Sequence, residues 1–264
     1  MFENVSFSIS GREILKNISF EAKPNEITAI VGKPGSGKTT IINLLYRLYS
    51  IKSGKILIDG RSIFDYTKKV YTTNVSGVFQ RPIIFEMSIR DNLSVVDRNQ
   101  KRQIEACRRV GLFEKIASLP RGLNTVLNEE RGIFTDGELQ KLAIARALLS
   151  QAEILLFDEV TSNVDPETSK EIIKILEDLK EDHTIIIITH KPEIMKIADK
   201  IIVLSDGKVV AKGKNKEVLA KSALYRELRS ATFARPSLDD ESEHIKADSP
   251  EDFLQTEEAS LKLK

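Results

Sequence analysis

The sequence predicts an α/β fold: a parallel sheet at the core, an antiparallel β part at the N-terminus and a helical lobe inserted at about 85–150. Three observations predict it. The apolar runs in "EITAIVG", "EILLFDE" and "TIIIITH" are five to seven residues, the length of strands buried on both faces. Helix-length segments separate them, and strands alternating with helices imply parallel pairing. The first two strands, "FENVSFSI" and "EILKNISFEA", instead alternate apolar and polar residues, as half-buried antiparallel strands do.

Taken in order, residues 2–31 read as three strands, the third being "EITAIVG". A glycine-rich turn at 32–37 opens a helix to about residue 48. "GKILIDG" (54–60) is a strand closed by Asp-Gly, and "VSGVFQ" (75–80) is another. Residues 88–118 read as mainly helical, with a break near Gly111. In "RGIFTDGELQKLAIARALL" (131–149), Thr135 and Glu138 match a capping box at a helix start. Leu139, Leu142, Ala143 and Ala147 follow the spacing of one buried face of that helix, placed at about 137–150. A strand at 153–158, a helix at 166–180 and a strand at 184–189 follow. "KIIVLSDGKVVAKG" is a hairpin, because Asp206-Gly207 separates two β-branched runs.

Composition is that of a soluble globular protein: 264 residues, 41% hydrophobic and 30% charged. The net charge of +1 carries no global signal for nucleic acid or an anionic membrane. It hides an asymmetry, since residues 236–264 hold nine acids and three lysines, a net of −6, against +7 for residues 1–235. The polar, acidic segment 234–264 reads as a flexible tail, with a short docked helix near Phe253 and Leu254 as the alternative. Cys107, the single cysteine, excludes an intrachain disulfide, fits a reducing cytosolic compartment and reads as a buried thiol. No stretch reaches the roughly 18 apolar residues of a membrane span, and no secretory leader opens the chain.

"GKPGSGKTT" (Gly32, Lys33, Pro34, Gly35, Ser36, Gly37, Lys38, Thr39, Thr40) fits the pattern G-x-x-x-x-G-K-[ST] straight after a buried strand and at the mouth of a helix. Glycines let backbone amides converge on phosphate oxygens; Lys38 reaches the outer phosphates, and Thr39 offers a hydroxyl to magnesium. A tight glycine turn without a ligand is the plain alternative. Asp158 and Glu159 end the strand in "EILLFDE", and two acids leaving a buried strand are costly unless a cation meets them. Magnesium on Asp158 supplies one, leaving Glu159 to take a proton from water; capping of the next helix is the other reading. His190 ends "TIIIITH", either structurally or where ligands gather in such sheets.

This order of motifs resembles the nucleotide-binding domain of an ATP-binding-cassette (ABC) transporter of exporter type, over about residues 2–230. The resemblance implies a P-loop NTPase core spanning 1–233 that binds ATP and Mg2+. Gln80 matches the glutamine that contacts magnesium and water, Asp158 the magnesium ligand, Glu159 the general base, and His190 the histidine sensing the γ-phosphate. "TSNVD" (Thr161–Asp165) resembles the loop that crosses to a second nucleotide-binding domain. "RPIIFEMSIRDNL" (81–93) and "NTVLNEERG" (124–132) resemble segments that contact the transmembrane domains' coupling helices. Family members sit at the cytoplasmic face of a membrane. The resemblance favours a piece of a fused transporter over a separate subunit.

Two departures stand out. Thr135, Asp136, Gly137 and Glu138 take the place of a Ser-Gly-Gly-Gln type turn that binds the partner's ATP. A carboxylate about 5 Å from a phosphate charge costs roughly 3 kcal/mol at an effective dielectric near 20, against about 0.3–1 kcal/mol gained from the helix dipole. The expectation is an asymmetric pair, or else a regulatory ATP-binding cassette that hydrolyses little. Ile9 stands where the family often has an adenine-stacking aromatic, which leaves weaker packing or a substitute such as Phe2 or Phe7.

Overall fold

The computed structural model describes residues 1–128 and 132–231. Its strands are β1 (Phe2–Ile9), β2 (Arg12–Phe20), β3 (Ile27–Gly32), β4 (Ser53–Ile58), β5 (Arg61–Ser62), β6 (Val75–Val78), β7 (Ile154–Asp158), β8 (Thr184–Ile188), β9 (Lys200–Ser205) and β10 (Lys208–Gly213). Helices α1 (Lys38–Leu45), α2 (Lys68–Asn74), α3 (Ile89–Ser94), α4 (Gln100–Arg109) and α5 (Phe113–Ser118) precede the long α6 (Asp136–Leu149) and α7 (Pro166–Leu179). Three short helices follow: α8 (Pro192–Ile197), α9 (Asn215–Lys221) and α10 (Ala223–Ala231).

The strands form two sheets. One is antiparallel, ordered β2-β1-β4-β5; the other is β10-β9-β3-β8-β7-β6, parallel throughout except for the terminal β9–β10 hairpin. The predicted fold class is therefore the observed one. Along β3 the side chains divide between the two faces. Ile27, Ala29 and Val31 join the core beneath α4, α6 and α7, while Ile30 points to the core shared with α1 and the antiparallel sheet. Burial on both faces explains why the parallel strands read as unbroken apolar runs.

Register sets where the strands finish. Ile30 of β3 pairs with Ile188 of β8, Asp158 of β7 pairs with Ile188, and Val78 of β6 pairs with Phe157. The ends of four parallel strands thus lie in one row, with Gly32, Gln80, Glu159 and His190 at or just beyond them. Both Asp-Gly turns have positive φ at the two central residues, 49° and 76° at Asp59-Gly60 and 50° and 76° at Asp206-Gly207. That is the backbone twist a two-residue hairpin needs.

The structure corrects several expectations. Helix α1 stops at Leu45, because Arg47 turns left-handed (φ 57°) and donates to Tyr66 O at 3.0 Å. Strand β6 ends at Val78 rather than 80, the chain leaving the sheet edge where Gln140 Nε2 donates to Phe79 O at 3.2 Å. Helix α6 is buried almost all round, not on one stripe: Gln140, Lys141, Ile144, Ala145, Leu148 and Leu149 join the expected face, and Leu139 is only half-buried. Its neighbours α3, α4, α7 and β6 cover most of its surface. Helices α2, α8, α9 and α10 carried no recognised signal. The expected acidic tail at 234–264 lies outside the described residues.

Cys107 is buried in the core on α4, and burial pushes its thiol up to about 11. Reagents that attack thiolate at pH 8 should leave the native chain unlabelled and label it on urea unfolding, as a timed thiol assay would show.

Candidate nucleotide site

Backbone geometry dictates the glycines of the loop after β3. A Cβ on Gly32 would overlap Leu204 O and Ser36 Oγ, and one on Gly37 would lie 2.7 Å from Leu15 Cδ2. Gly35 and Gly37 have φ of 76° and 100°, open to glycine and strained for other residues. Lys33, Pro34 and Gly35 stand exposed at the tip, and Thr40 is half-buried behind it. Ser36 is buried with its Oγ unpartnered, so a polar atom inside the loop lacks a protein acceptor or donor. Gly37 gives α1 no side-chain cap, which leaves the helix's first amides available to an anion. Lys38 Nζ curls over the same loop, donating to Gly32 O at 2.9 Å and Lys33 O at 3.0 Å.

Opposite Lys38 stand the two acids ending β7. Burial is the main cause holding Asp158 above the usual carboxylate range, with Glu159 adding to it; Lys38 and a hydrogen bond from Thr39 act in the other direction. Glu159 is held below its ordinary value, first by its hydrogen bond with His190, with His190 and Lys38 charges acting in the same direction against burial. Burial lowers the Lys38 ammonium while Glu159 and Asp158 oppose the shift. Each charge is tolerable because the others are near.

Glu159 itself sits in the left-handed region, with φ of 48°. Surrounding bonds fix that conformation: its N–H donates to Ile188 O at 3.0 Å, and Ser162 N donates to its carbonyl at 3.0 Å. Its Oε2 lies 3.5 Å from His190 Nδ1 and accepts from Gln80 Nε2 at 3.3 Å. Lys38, Thr39, Gln80, Asp158, Glu159 and His190 are therefore brought into one group.

Thr135 and Gly137 are placed elsewhere, at the start of α6. The predicted capping box is present: Glu138 N donates to Thr135 Oγ1 at 3.2 Å, and Thr135 N to Glu138 Oε2 at 2.9 Å. Lys115 Nζ, 3.3 Å from Glu138 Oε1, balances this second acid. Asp136 is exposed and opens onto a cleft of about 440 Å3 that it shares with Gln80, Arg81 and Asn163. A Cβ on Gly137 would overlap Thr168 Cγ2, so α6 and α7 meet at a glycine for packing reasons. Asp165 of the crossing-loop motif caps α7, accepting from Glu167 N and Thr168 N.

Neither substitute aromatic is available near Ile9. Phe2 stacks on Phe20 at 4.6 Å and Phe7 meets Tyr49 at 5.4 Å, both buried, while Ile9 is 44% exposed. The described parts of the two segments expected to contact transmembrane domains pack against each other. Ile89 N donates to Thr125 O and Leu127 N to Met87 O, both at 3.0 Å, and Ile83, Phe85 and Val126 are left exposed beside a groove of about 170 Å3. Sequence reasoning quoted Ser162 within its motif without a role, and missed Lys115, whose partner lies too far along the chain for any local pattern to show. Among the described residues no group of three His, Cys, Asp or Glu converges as a metal site, and no helix is long and apolar enough to cross a membrane.

A family model described as "ABC transporter" matches residues 15–162, and a shorter match to an AAA domain model covers 132–196. An "ATP-dependent lipid A-core flippase" of Haemophilus influenzae is 37% identical over 238 residues, 88% of this chain and 40% of that protein. A Bacillus subtilis protein with the name "Probable multidrug resistance ABC transporter ATP-binding/permease protein" is 37% identical over 230 residues, 86% of this chain and 34% of its own length. A solved structure of a bacterial Atm1-family ABC exporter with ATP bound superposes with a TM-score of 0.82 at 33% identity, covering 89% of this chain and 42% of that one. The chain thus spans about 40% of the length of the flippases it matches.

Gly137→Ala should cost about 1–3 kcal/mol through the clash with Thr168, read as a lower urea midpoint. Thr168→Ser in the same chain, by removing the overlapped methyl, should return most of the loss.

Proposed function

The chain belongs to the ABC transporter family, and on that premise we propose that it binds and hydrolyses ATP as the motor of an exporter. The observation that carries this reading is the meeting of Lys38, Asp158, Glu159, Gln80 and His190 at the ends of adjacent parallel strands. The loop from Gly32 to Thr40 holds the phosphates through backbone amides, and Lys38 exchanges its loop carbonyls for phosphate oxygens. The residues fit Mg2+: hard oxygen donors stand at Thr39, Asp158 and Gln80, and too few carboxylates converge for a cage without substrate phosphates. Magnesium would supply neutralisation of charge on the outer phosphates. Glu159, kept ionised by His190, accepts the proton of the attacking water, while Gln80 and His190 orient water and γ-phosphate.

Three wider assignments rest on the family. Thr135 and Gly137 at the start of α6 face ATP held by a second nucleotide-binding domain, related or identical, in a head-to-tail pair. The apolar surface at Ile83, Phe85 and Val126 receives transmembrane domains, in keeping with the ATP-binding/permease name of a relative. On this reading the domain, residues 1–233 of a larger assembly, works at the cytoplasmic face of a membrane, with no role for nucleic acid. The flippase names point to a lipid-like cargo.

A second reading, a regulatory cassette that closes on ATP with little turnover, has one specific observation behind it. Among the described residues Asp136 has no ion pair such as Lys115 gives Glu138. The intact set around Glu159 favours hydrolysis.

Steady-state phosphate release and retention of labelled nucleotide separate the two. Glu159→Gln should abolish release while trapping Mg-ATP, and Lys38→Ala should lose binding; equal, negligible release from the unchanged chain and Glu159→Gln would establish the regulatory reading. Asp136→Ser should strengthen ATP-driven pairing by up to about a hundredfold, the equivalent of roughly 3 kcal/mol of removed repulsion, measured by analytical ultracentrifugation with Mg-ATP.

A further inference from the structure

We infer that Ser162 is a positioning residue that fixes which end of the Gln80 amide faces the reaction. The inference rests on the hydrolytic reading above and deepens it.

A glutamine amide has two nearly identical ends of opposite chemistry, and only its neighbours decide which way it lies. Here the neighbours leave one answer. Ser162 Oγ donates to Glu159 O at 2.8 Å, which uses the hydroxyl's single proton. The same oxygen, 3.2 Å from Gln80, can then only accept, and it takes a hydrogen from Nε2. The second neighbour is Glu159 Oε2, a carboxylate oxygen 3.3 Å away that takes a hydrogen from the same Nε2. Both contacts therefore demand the NH2 end. A flipped amide would set Oε1 against two acceptors and lose both bonds.

The bonds form a directed chain: Glu159 carbonyl, Ser162 hydroxyl, Gln80 amide, Glu159 carboxylate. Oε1 is left on the opposite side of the amide, the end that can serve as an oxygen ligand or as acceptor for a water proton. Ser162 N also donates to Glu159 O at 3.0 Å, so the left-handed turn survives loss of the hydroxyl. Gln80 is exposed and lies two residues beyond the end of β6, so no packing holds it in place of these bonds. Removing the Ser162 hydroxyl frees the amide without unmaking the turn, which separates positioning from folding.

The test uses the full chain in five forms: unchanged, Ser162→Ala, Ser162→Thr, Gln80→Ala, and Gln80→Ala with Ser162→Ala. In Mg-ATP hydrolysis, Ser162→Ala should lose roughly ten- to hundredfold in kcat with KM within about twofold, and Ser162→Thr should recover the loss. In the Gln80→Ala background Ser162→Ala should change nothing further, the signature of one residue acting through the other. Independently of turnover, the Gln80 side-chain amide resonance in 15N NMR without nucleotide should move in Ser162→Ala and hold in Ser162→Thr. Full kcat in Ser162→Ala, an equal fractional loss with Gln80 already removed, or an unmoved amide resonance would each overturn the assignment. If the unchanged chain shows no turnover that Lys38→Ala abolishes, the hydrolytic reading falls and takes this role with it; the amide resonance then still reports whether the bond chain exists.

Discussion

Keeping two carboxylates and an ammonium half-buried at the ends of parallel strands is the constraint on which this structure depends. Asp158 and Glu159 leave a strand with no water on either face, and Lys38 leaves the loop beside it. None is stable there alone, because taking an isolated charge out of water costs several kcal/mol. The register of β3, β8 and β7 makes the mutual arrangement possible by finishing the strands in one row. The buried apolar runs are thus more than core. They act as a ruler that delivers polar side chains to one edge, and the left-handed turn at Glu159 bends its carboxylate back toward His190 and Gln80.

The start of α6 shows the same economy of charge, incompletely applied. Glu138 satisfies the backbone of Thr135 with one oxygen and Lys115 with the other, so an acid in this position is locally neutral. At Gly137 the nearness of Thr168 already demands a glycine, whatever the turn faces. Asp136 is exposed and opens onto a cleft that it shares with Arg81. Of the three departures from the Ser-Gly-Gly-Gln pattern, Thr135 and Glu138 receive a structural account in the capping box, and Asp136 bears on what the turn can accept from outside.

Much of this was legible in the sequence, for identifiable reasons. Buried parallel strands announce themselves as short apolar runs, Asp-Gly as a two-residue hairpin, and Thr-x-x-Glu as a capped helix; each is a local rule with one dominant cause. The glycine turn at 32–37 was legible because its glycines answer to backbone geometry at fixed offsets. What failed was decided by distant partners. The all-round burial of α6 depends on four neighbouring elements, so a single stripe of apolar residues understated it. The end of α1 is set by where the Arg47 guanidinium finds Tyr66 and the Tyr71 ring. Phe2 and Phe7 were plausible near the nucleotide until their pairing with Phe20 and Tyr49 placed them in the core. Short helices such as α8 and α9 carry too few residues for a period to emerge.

The turn between β9 and β10 has a consequence for how force travels through the molecule. Gly207 donates to Ser36 O at 3.3 Å and accepts from Lys16 N at 2.8 Å, and a side chain there would overlap Ile14 O. One residue on an edge hairpin therefore ties the glycine-rich loop after β3 to the antiparallel sheet. Lys33, at the tip of the loop, reaches Glu227 of α10 at 2.8 Å, a second and weaker tether on the same side. The β9–β10 edge and α10 are thus tied directly to the glycine-rich loop, so a displacement at either would be felt there as well as in the core.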